Sequence, residues 1–201
     1  MNPPSVRNLL VAASAVLLVF TPVRSLRAAE IAETAAASAP LQPGEFVWQP
    51  ERAAAGEVEI VVSLPLQRAY VYRGGALIGV STVSTGRPGH STPTGRFDIL
   101  QKQREHYSNR YNNAPMPFMQ RLTWDGIALH AGQIPGRPAS HGCVRLPLAF
   151  ARQLFAVTRV GASVHIIEQA PAPAEALAMV RGDGRYAGLS GPLEAVPAGT
   201  D

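Results

Sequence analysis

Cys143 is the single cysteine of a 201-residue chain. It lies in Ser140-His141-Gly142-Cys143-Val144-Arg145, and a second histidine, His130, precedes it. Nucleophilic acyl transfer needs a thiol, an imidazole that takes and returns a proton, and N–H donors for the oxyanion, and this stretch carries all three kinds of group. A lone cysteine is more often a small buried hydrophobe, but the neighbours here favour use. Arg145 follows it, and a helix is expected from Pro147, whose N-terminal end would favour an anion. Those two features predict a thiol pushed toward thiolate from its free value of about 8.5. His130, His141 and Cys143 are also types that zinc prefers, but their spacing matches no closed zinc motif, so no metal is assigned.

The elements around these residues are mostly strands. Val58 to Leu64, Ala69 to Tyr72, Ala76 to Ser84, Arg96 to Leu100 and Ala162 to Glu168 are short β-rich runs broken by turns. Gly74-Gly75 between the second and third reads as a hairpin turn. Leu122 to His130 reads as a strand interrupted by an Asp125-Gly126 turn. Glu105 to Pro117 is polar, aromatic and proline-containing, the character of a long surface loop that lies over a site. One helix stands out: Pro147 suits the first helical position, Leu148, Phe150, Ala151, Leu154, Phe155 and Thr158 recur at helical spacing, and Gly161 suits its end. The fold class expected is mainly β, with one prominent helix after the cysteine. Trp48 and Trp124 read as packing residues, and His90, His106 and His165 as structural or solvated.

Composition and charge bound the rest. The chain is 46% hydrophobic and 16% charged with a mean hydropathy of +0.04, which excludes collagen, coiled coil and a polytopic membrane protein. Arg7 precedes an apolar run from Leu9 to Phe20, followed by Pro22 and then Ala28-Ala29, the layout of a secretory signal peptide over 1–28. The run is shorter than the roughly 20 residues that span a bilayer, so no membrane span is expected beyond it. Residues 29–56, rich in Ala and Pro, read as a flexible linker, and 169–201 as a flexible tail with at most a short helix at Glu175 to Val180. Between them, residues 57–168 carry 12 basic and 6 acidic side chains. Such a field attracts anions. With one lysine and no basic cluster in an exported chain, nucleic acid is a poor partner and an anionic cell-wall polymer a fitting one.

The stretch Ile127 to Leu146, IALHAGQIPGRPASHGCVRL, resembles the catalytic signature of YkuD-type L,D-transpeptidases: a histidine followed at a distance by Ser/Thr-His-Gly-Cys. The resemblance extends to Val71-Tyr72-Arg73-Gly74-Gly75, Ser84-Thr85-Gly86, Thr92-Pro93-Thr94-Gly95-Arg96-Phe97 and a lid-like Met116-Pro117-Phe118, and so covers about 57–168. Two features depart from the usual pattern: the spacer from His130 to Ser140 is short, and Arg145 stands where many relatives have Asn.

The resemblance implies a YkuD-like β-sandwich and a peptidoglycan L,D-transpeptidase, exported and periplasmic or cell-wall associated, needing neither metal nor cofactor. It makes Cys143 the nucleophile, His130 the proton carrier oriented by a backbone carbonyl, with Asp125 as a substitute orienter, and Gly142 and Cys143 the N–H donors. His141 orients the thiol, or touches the substrate, or is satisfied by loop hydrogen bonds. Arg145 either grips a substrate carboxylate or braces the loop, and Ser140 bonds within it; Arg145, Ser140 and Gly142 make up the expected substrate-binding set. The implied partners are peptidoglycan stem peptides, with a second stem, an outer-membrane lipoprotein or a D-amino acid as acyl acceptor. Water as acceptor would make the chain an L,D-carboxypeptidase, and loss of turnover would leave a silent wall-binding module.

Overall fold

Short apolar runs become strands wherever alternate residues can be buried. The computed structural model describes residues 41–110 and 112–182, so the signal segment expected over 1–28 lies outside the described residues. In chain order the strands are β1 (Phe46–Trp48), β2 (Val58–Ser63), β3 (Arg68–Arg73), β4 (Ala76–Thr82), β5 (Gly95–Asp98), β6 (Gln101–Gln103), β7 (Met119–Arg121), β8 (Ala128–Ala131), β9 (Val144–Leu146) and β10 (Ser163–Ile167). Helix α1 (Leu148–Val157) separates the last two strands, and α2 (Pro173–Arg181) follows them. Six strands form one sheet in the order β1-β4-β3-β2-β10-β5, and four form a second in the order β6-β7-β8-β9.

The two sheets close on one core. Ile60, Val62, Val71 and Ile78 come from the larger sheet and Leu129, Val144 and Leu146 from the smaller. Phe150, Ala151 and Leu154, one face of α1, fill the same core. The β3–β4 hairpin turns at Gly74 and Gly75, whose φ angles of 56° and 88° lie in the left-handed region that glycine enters without penalty. Pro147 is the N-cap of α1 rather than its first residue. The helix ends before Gly161: the Thr158 N–H bonds the Leu154 carbonyl, and Lys102 Nζ donates to the carbonyls of Phe155 (2.7 Å) and Thr158 (2.6 Å). A cation on the last carbonyls of a helix satisfies acceptors that no helical N–H can reach.

Three expectations are corrected. Phe46 to Trp48 was expected in a flexible linker over 29–56, but pairs with β4. Its rings lie 5.5 Å (Phe46) and 5.3 Å (Trp48) from that of Phe150, so burial against α1 holds a strand too short to show a period. Within the tail expected to be flexible over 169–201, the short helix allowed at Glu175 to Val180 is present and longer, as α2 over Pro173 to Arg181. The cause lies in the larger sheet, where Val61, Tyr70, Tyr72 and Val80 face away from the main core and are covered by Ala176 and Leu177. The Tyr72 hydroxyl donates to the Pro173 carbonyl, and Arg181 pairs with Glu59. Finally, the strand expected over Leu122 to His130 begins only at Ala128; residues 123–127 are a tight turn closed by Gly126 N–H on the Thr123 carbonyl (3.2 Å) and Ile127 N–H on Thr123 Oγ1 (3.1 Å). Among the described residues no helix is long and apolar enough to cross a membrane.

Leu177 is 6% exposed, so Leu177→Ala is expected to lower the unfolding free energy by about 2–3 kcal/mol in urea titrations. An unchanged midpoint would mean that α2 does not cover the sheet.

Candidate active site

β8 and β9 run parallel, with Leu129 opposite Val144 and His130 opposite Arg145. Side chains alternate along each strand, so Leu129 and Val144 enter the core while His130 and Arg145 face the other way. One step back on each strand, Cys143 stands level with Ala128 and shares the outward face. This face forms the floor of a cleft of about 650 Å³, and His130, Cys143 and Arg145 all line it. The Cys143 thiol donates to the Gly126 carbonyl at 3.4 Å.

The turn before Cys143 is held from inside. Ser140 is 1% exposed. Its Oγ donates to the Cys143 carbonyl (2.5 Å) and accepts the Gly142 N–H (3.1 Å). Thr92 Oγ1 donates to the Gly142 carbonyl and accepts the Gly86 N–H, each at 2.8 Å. Gly142 has φ of +112°, and a Cβ there would sit 2.9 Å from Ile127 Cδ1, so no other residue fits without displacement. Ser84 exchanges two backbone hydrogen bonds with Arg145 (3.1 and 3.0 Å). The Ser84-Thr85-Gly86 and Thr92 segments therefore brace the cysteine turn and the strand after it. Ser140 and Gly142, expected among the substrate contacts, commit these polar groups to the turn. The Gly142 N–H is thereby engaged, whereas the Cys143 N–H has no acceptor among the described residues.

His130 is 8% exposed, and its Nδ1 lies 2.8 Å from the Ala131 carbonyl. A carbonyl only accepts, so Nδ1 carries the proton and Nε2 keeps a lone pair. Burial, partly opposed by that hydrogen bond and reinforced by Arg145 and His106, lowers its pKa from 6.5 to about 4. The imidazole is thus neutral at pH 7 and able to accept a proton. Burial also pushes the Cys143 thiol up, against the smaller downward pull of the Ala128 N–H, Arg145 and Arg121. The expected drift toward thiolate is corrected: desolvation outweighs the pull of the nearby guanidinium groups. At rest the pair is a neutral thiol and a neutral imidazole.

His141 turns its Nε2 to Arg87 Nη2 (2.9 Å), and its ring meets that of His90 at 4.8 Å. Asp125 is exposed at the cleft and the Ala131 carbonyl takes the place offered to it beside His130. Arg145 has no ion pair and no hydrogen bond through its guanidinium among the described residues, although its stem would lie 3.0 Å from a Cβ at Gly132. Arg110, Arg121 and Arg145 line the cleft, with Asp125 its one carboxylate among the described residues. The polar loop from Glu105 to Pro117 supplies a wall of this cleft through His106, Arg110 and Met116. Its described residues extend the β6–β7 pairing, with Met116 N–H on the His106 carbonyl and Ser108 N–H on that of Ala114. Trp124, expected to pack, is 74% exposed at the cleft. No group of three His, Cys, Asp or Glu among the described residues could hold a metal ion.

A half-buried thiol and a neutral imidazole on paired strands, opening into one basic cleft, define a cysteine–histidine site on a two-sheet β scaffold. The sequence model of the YkuD L,D-transpeptidase catalytic domain matches residues 57–166, and the chain belongs to that family. Solved structures agree in fold. An L,D-transpeptidase from Stackebrandtia nassauensis is 28% identical over 60% of this chain and 59% of its own, with a TM-score of 0.52. One from Mycobacterium tuberculosis H37Rv is 24% identical over 55% and 57%, with a TM-score of 0.53. L,D-transpeptidase 3 from Mycobacterium tuberculosis, in complex with a faropenem-derived adduct, is 22% identical over 54% and 59%, with a TM-score of 0.50. The chain thus spans 57–59% of the length of these relatives. No curated protein matches it.

The neutral resting pair makes two measurable predictions. Iodoacetamide alkylation of Cys143, followed by intact mass, is expected to rise with pH through an inflection above that of a free thiol; a plateau already reached below pH 7 would indicate a preformed thiolate. The fold should also weaken as pH falls. Unfolded histidine protonates near 6.5 while folded His130 resists to about 4, so the unfolded state binds the extra proton between those values. The His130 share is on the order of 3 kcal/mol, lost progressively as pH drops from about 6.5 to 4. His130→Asn is expected to flatten that part of the stability profile in urea titrations.

Proposed function

We propose that the chain is a peptidoglycan L,D-transpeptidase that forms an acyl-enzyme through Cys143. The observation that carries this reading is the His130 Nδ1–Ala131 hydrogen bond, which leaves the Nε2 lone pair free on the face it shares with the thiol. The donor is a tetrapeptide stem, and the bond attacked joins the L-centre of diaminopimelate to the terminal D-alanine. Cys143 Sγ adds to that carbonyl as its proton passes to His130 Nε2. A half-buried thiol of raised pKa is a poor nucleophile until this transfer occurs, so proton removal and attack belong to one step. The Cys143 N–H faces the developing oxyanion.

Collapse of the tetrahedral species breaks the C–N bond, and D-alanine leaves with the proton from His130. An amine then attacks the thioester, giving its proton to His130 Nε2, and Cys143 regains the proton as the new amide departs. Arg145, without a carboxylate of its own among the described residues, receives a carboxylate of the stem; its planar fork suits that group. Arg110 and Arg121 extend the same field along the cleft. His141, tied to Arg87, positions the turn beside the thiol. The acceptor in this reading is the amine of a second stem, and the chain acts outside the cytosol, delivered by the segment 1–28, with 57–168 as its catalytic domain.

Purified tetrapeptide muropeptides incubated with the protein are expected to yield cross-linked dimers and free D-alanine by mass spectrometry, and Cys143→Ala to yield neither. Turnover persisting in that variant would overturn the reading. Product masses also separate cross-linking from D-amino-acid exchange, lipoprotein attachment and hydrolysis to the tripeptide. A carbapenem is expected to add its mass to the wild type and not to Cys143→Ala.

A further inference from the structure

Trp124 is the largest side chain left in water at the cleft. It is 74% exposed, although burying an indole removes on the order of 150–250 Å² from solvent. Its position is not a loose one. The turn that carries it is closed by the Thr123 carbonyl and hydroxyl. The Arg121 guanidinium lies 5.9 Å from the ring centroid and is itself steered by Gln101 Oε1 at 2.9 Å from Nε. The stem of Arg110, from the loop that walls the cleft, would lie 3.8 Å from a Cβ at Gly126. An aromatic face is thus held at the mouth of the cleft with little covering it.

We infer that Trp124 is a saccharide platform: its face stacks on a neutral pyranose ring of the glycan to which the donor stem is attached. The inference rests on the peptidoglycan reading above and deepens it. Chemistry favours the sugar over the stem. A stem is rich in carboxylates, which the cleft arginines can meet, whereas an aromatic face attracts the weakly positive C–H edge of a ring. A pyranose offers such a C–H face while its hydroxyls need water or polar neighbours, and the exposed Trp124 turn supplies both through solvent and Asp125.

Length agrees as well. Trp124 is two residues from Gly126, whose carbonyl touches the Cys143 sulfur. Two residues span at most about 7 Å, and less in a tight turn, so with the indole's own length the ring lies within about 15 Å of the sulfur. The reacting carbonyl belongs to the third stem residue, so three residues, about 10–11 Å when extended, separate it from the sugar.

The test compares two donors, the free tetrapeptide and the same tetrapeptide on its N-acetylated disaccharide. Wild type is expected to favour the disaccharide-bearing donor about tenfold in kcat/KM, measured as release of D-alanine. Trp124→Ala should bring that ratio to about one, and Trp124→Tyr should restore most of it. A wild-type ratio of one, or a ratio that Trp124→Ala leaves unchanged because both donors fall alike, overturns the inference; the second result assigns the indole to the stem. Binding of the disaccharide-tetrapeptide to Cys143→Ser, followed by titration calorimetry, reads the platform without turnover. There Trp124→Ala is expected to weaken binding about tenfold relative to its effect on the free stem, and equal effects overturn the inference. Failure of the wild type to turn over either donor would instead count against the transpeptidase reading, with the binding comparison still deciding on Trp124.

Discussion

The parallel pairing of β8 with β9 is the constraint on which the site depends. It sets His130 opposite Arg145 and brings Cys143 level with Ala128, and a shift of one residue would turn the thiol into the core and Val144 into the cleft. A parallel connection needs about a dozen or more residues, and residues 132–143 are at that lower limit with no helix to carry them. A connection so short cannot bend freely. Its final turn is consequently closed by Ser140 Oγ, which bonds both Gly142 and Cys143, and by Thr92 from outside, with Gly142 in a conformation that excludes a side chain. The short His130 to Ser140 spacer is therefore compatible with the site because the turn is held by side chains and neighbouring backbone instead of by length.

The same pairing sets the electrostatics. Placing His130 and Cys143 on a partly covered face removes water from both, and desolvation is the leading influence on each. It disfavours the imidazolium and the thiolate together, so the ion pair is the costly state and the neutral pair is the resting one. Nearby arginines pull the thiol the other way, but also oppose a proton on His130. Arg145 acts on both groups, lowering each pKa. A carboxylate bound by Arg145 would cancel part of its charge and so raise both pKa values, easing protonation of His130 while making the thiol harder to deprotonate. Ligand charge and proton transfer are thereby coupled through one guanidinium.

Much of this was legible in the sequence because it is local. The strands with apolar alternation, the Gly74-Gly75 hairpin, the helix after the cysteine and the Ser140-to-Cys143 turn all follow from neighbouring residues. What could not be read depends on distant surfaces. Phe46 to Trp48 is three residues long and acquires meaning only against Phe150, a hundred positions away in the chain. The cover supplied by Ala176 and Leu177 was hidden in an alanine-rich tail, although Tyr70 and Tyr72, alternating with Ala69 and Val71, already showed that β3 has two apolar faces. The thiol's upward shift required burial to be weighed against charge, and only the cations are visible in a sequence. The position of β9 between Cys143 and α1 was hinted at by the alternation in Val144-Arg145-Leu146 but is shorter than a pattern search resolves.

The two sheets divide the work in a way that explains where the site sits. The larger sheet has one side in the main core and part of the other under α2, which covers Val61, Tyr70, Tyr72 and Val80. The smaller sheet has one face in the core and one turned to the cleft, so its outward residues are free to carry chemistry. Helix α1 serves this arrangement by packing. Phe150 and Leu154 fill the core beneath Val144 and Leu146, which fixes β9 from behind. At the helix C-terminus Lys102 joins α1 to β6, the strand that leads into the loop walling the cleft. Core packing at one end of the helix and this lysine clamp at the other thus set the positions of both the thiol-bearing strand and the opposing wall, making the width of the cleft a consequence of how α1 is seated.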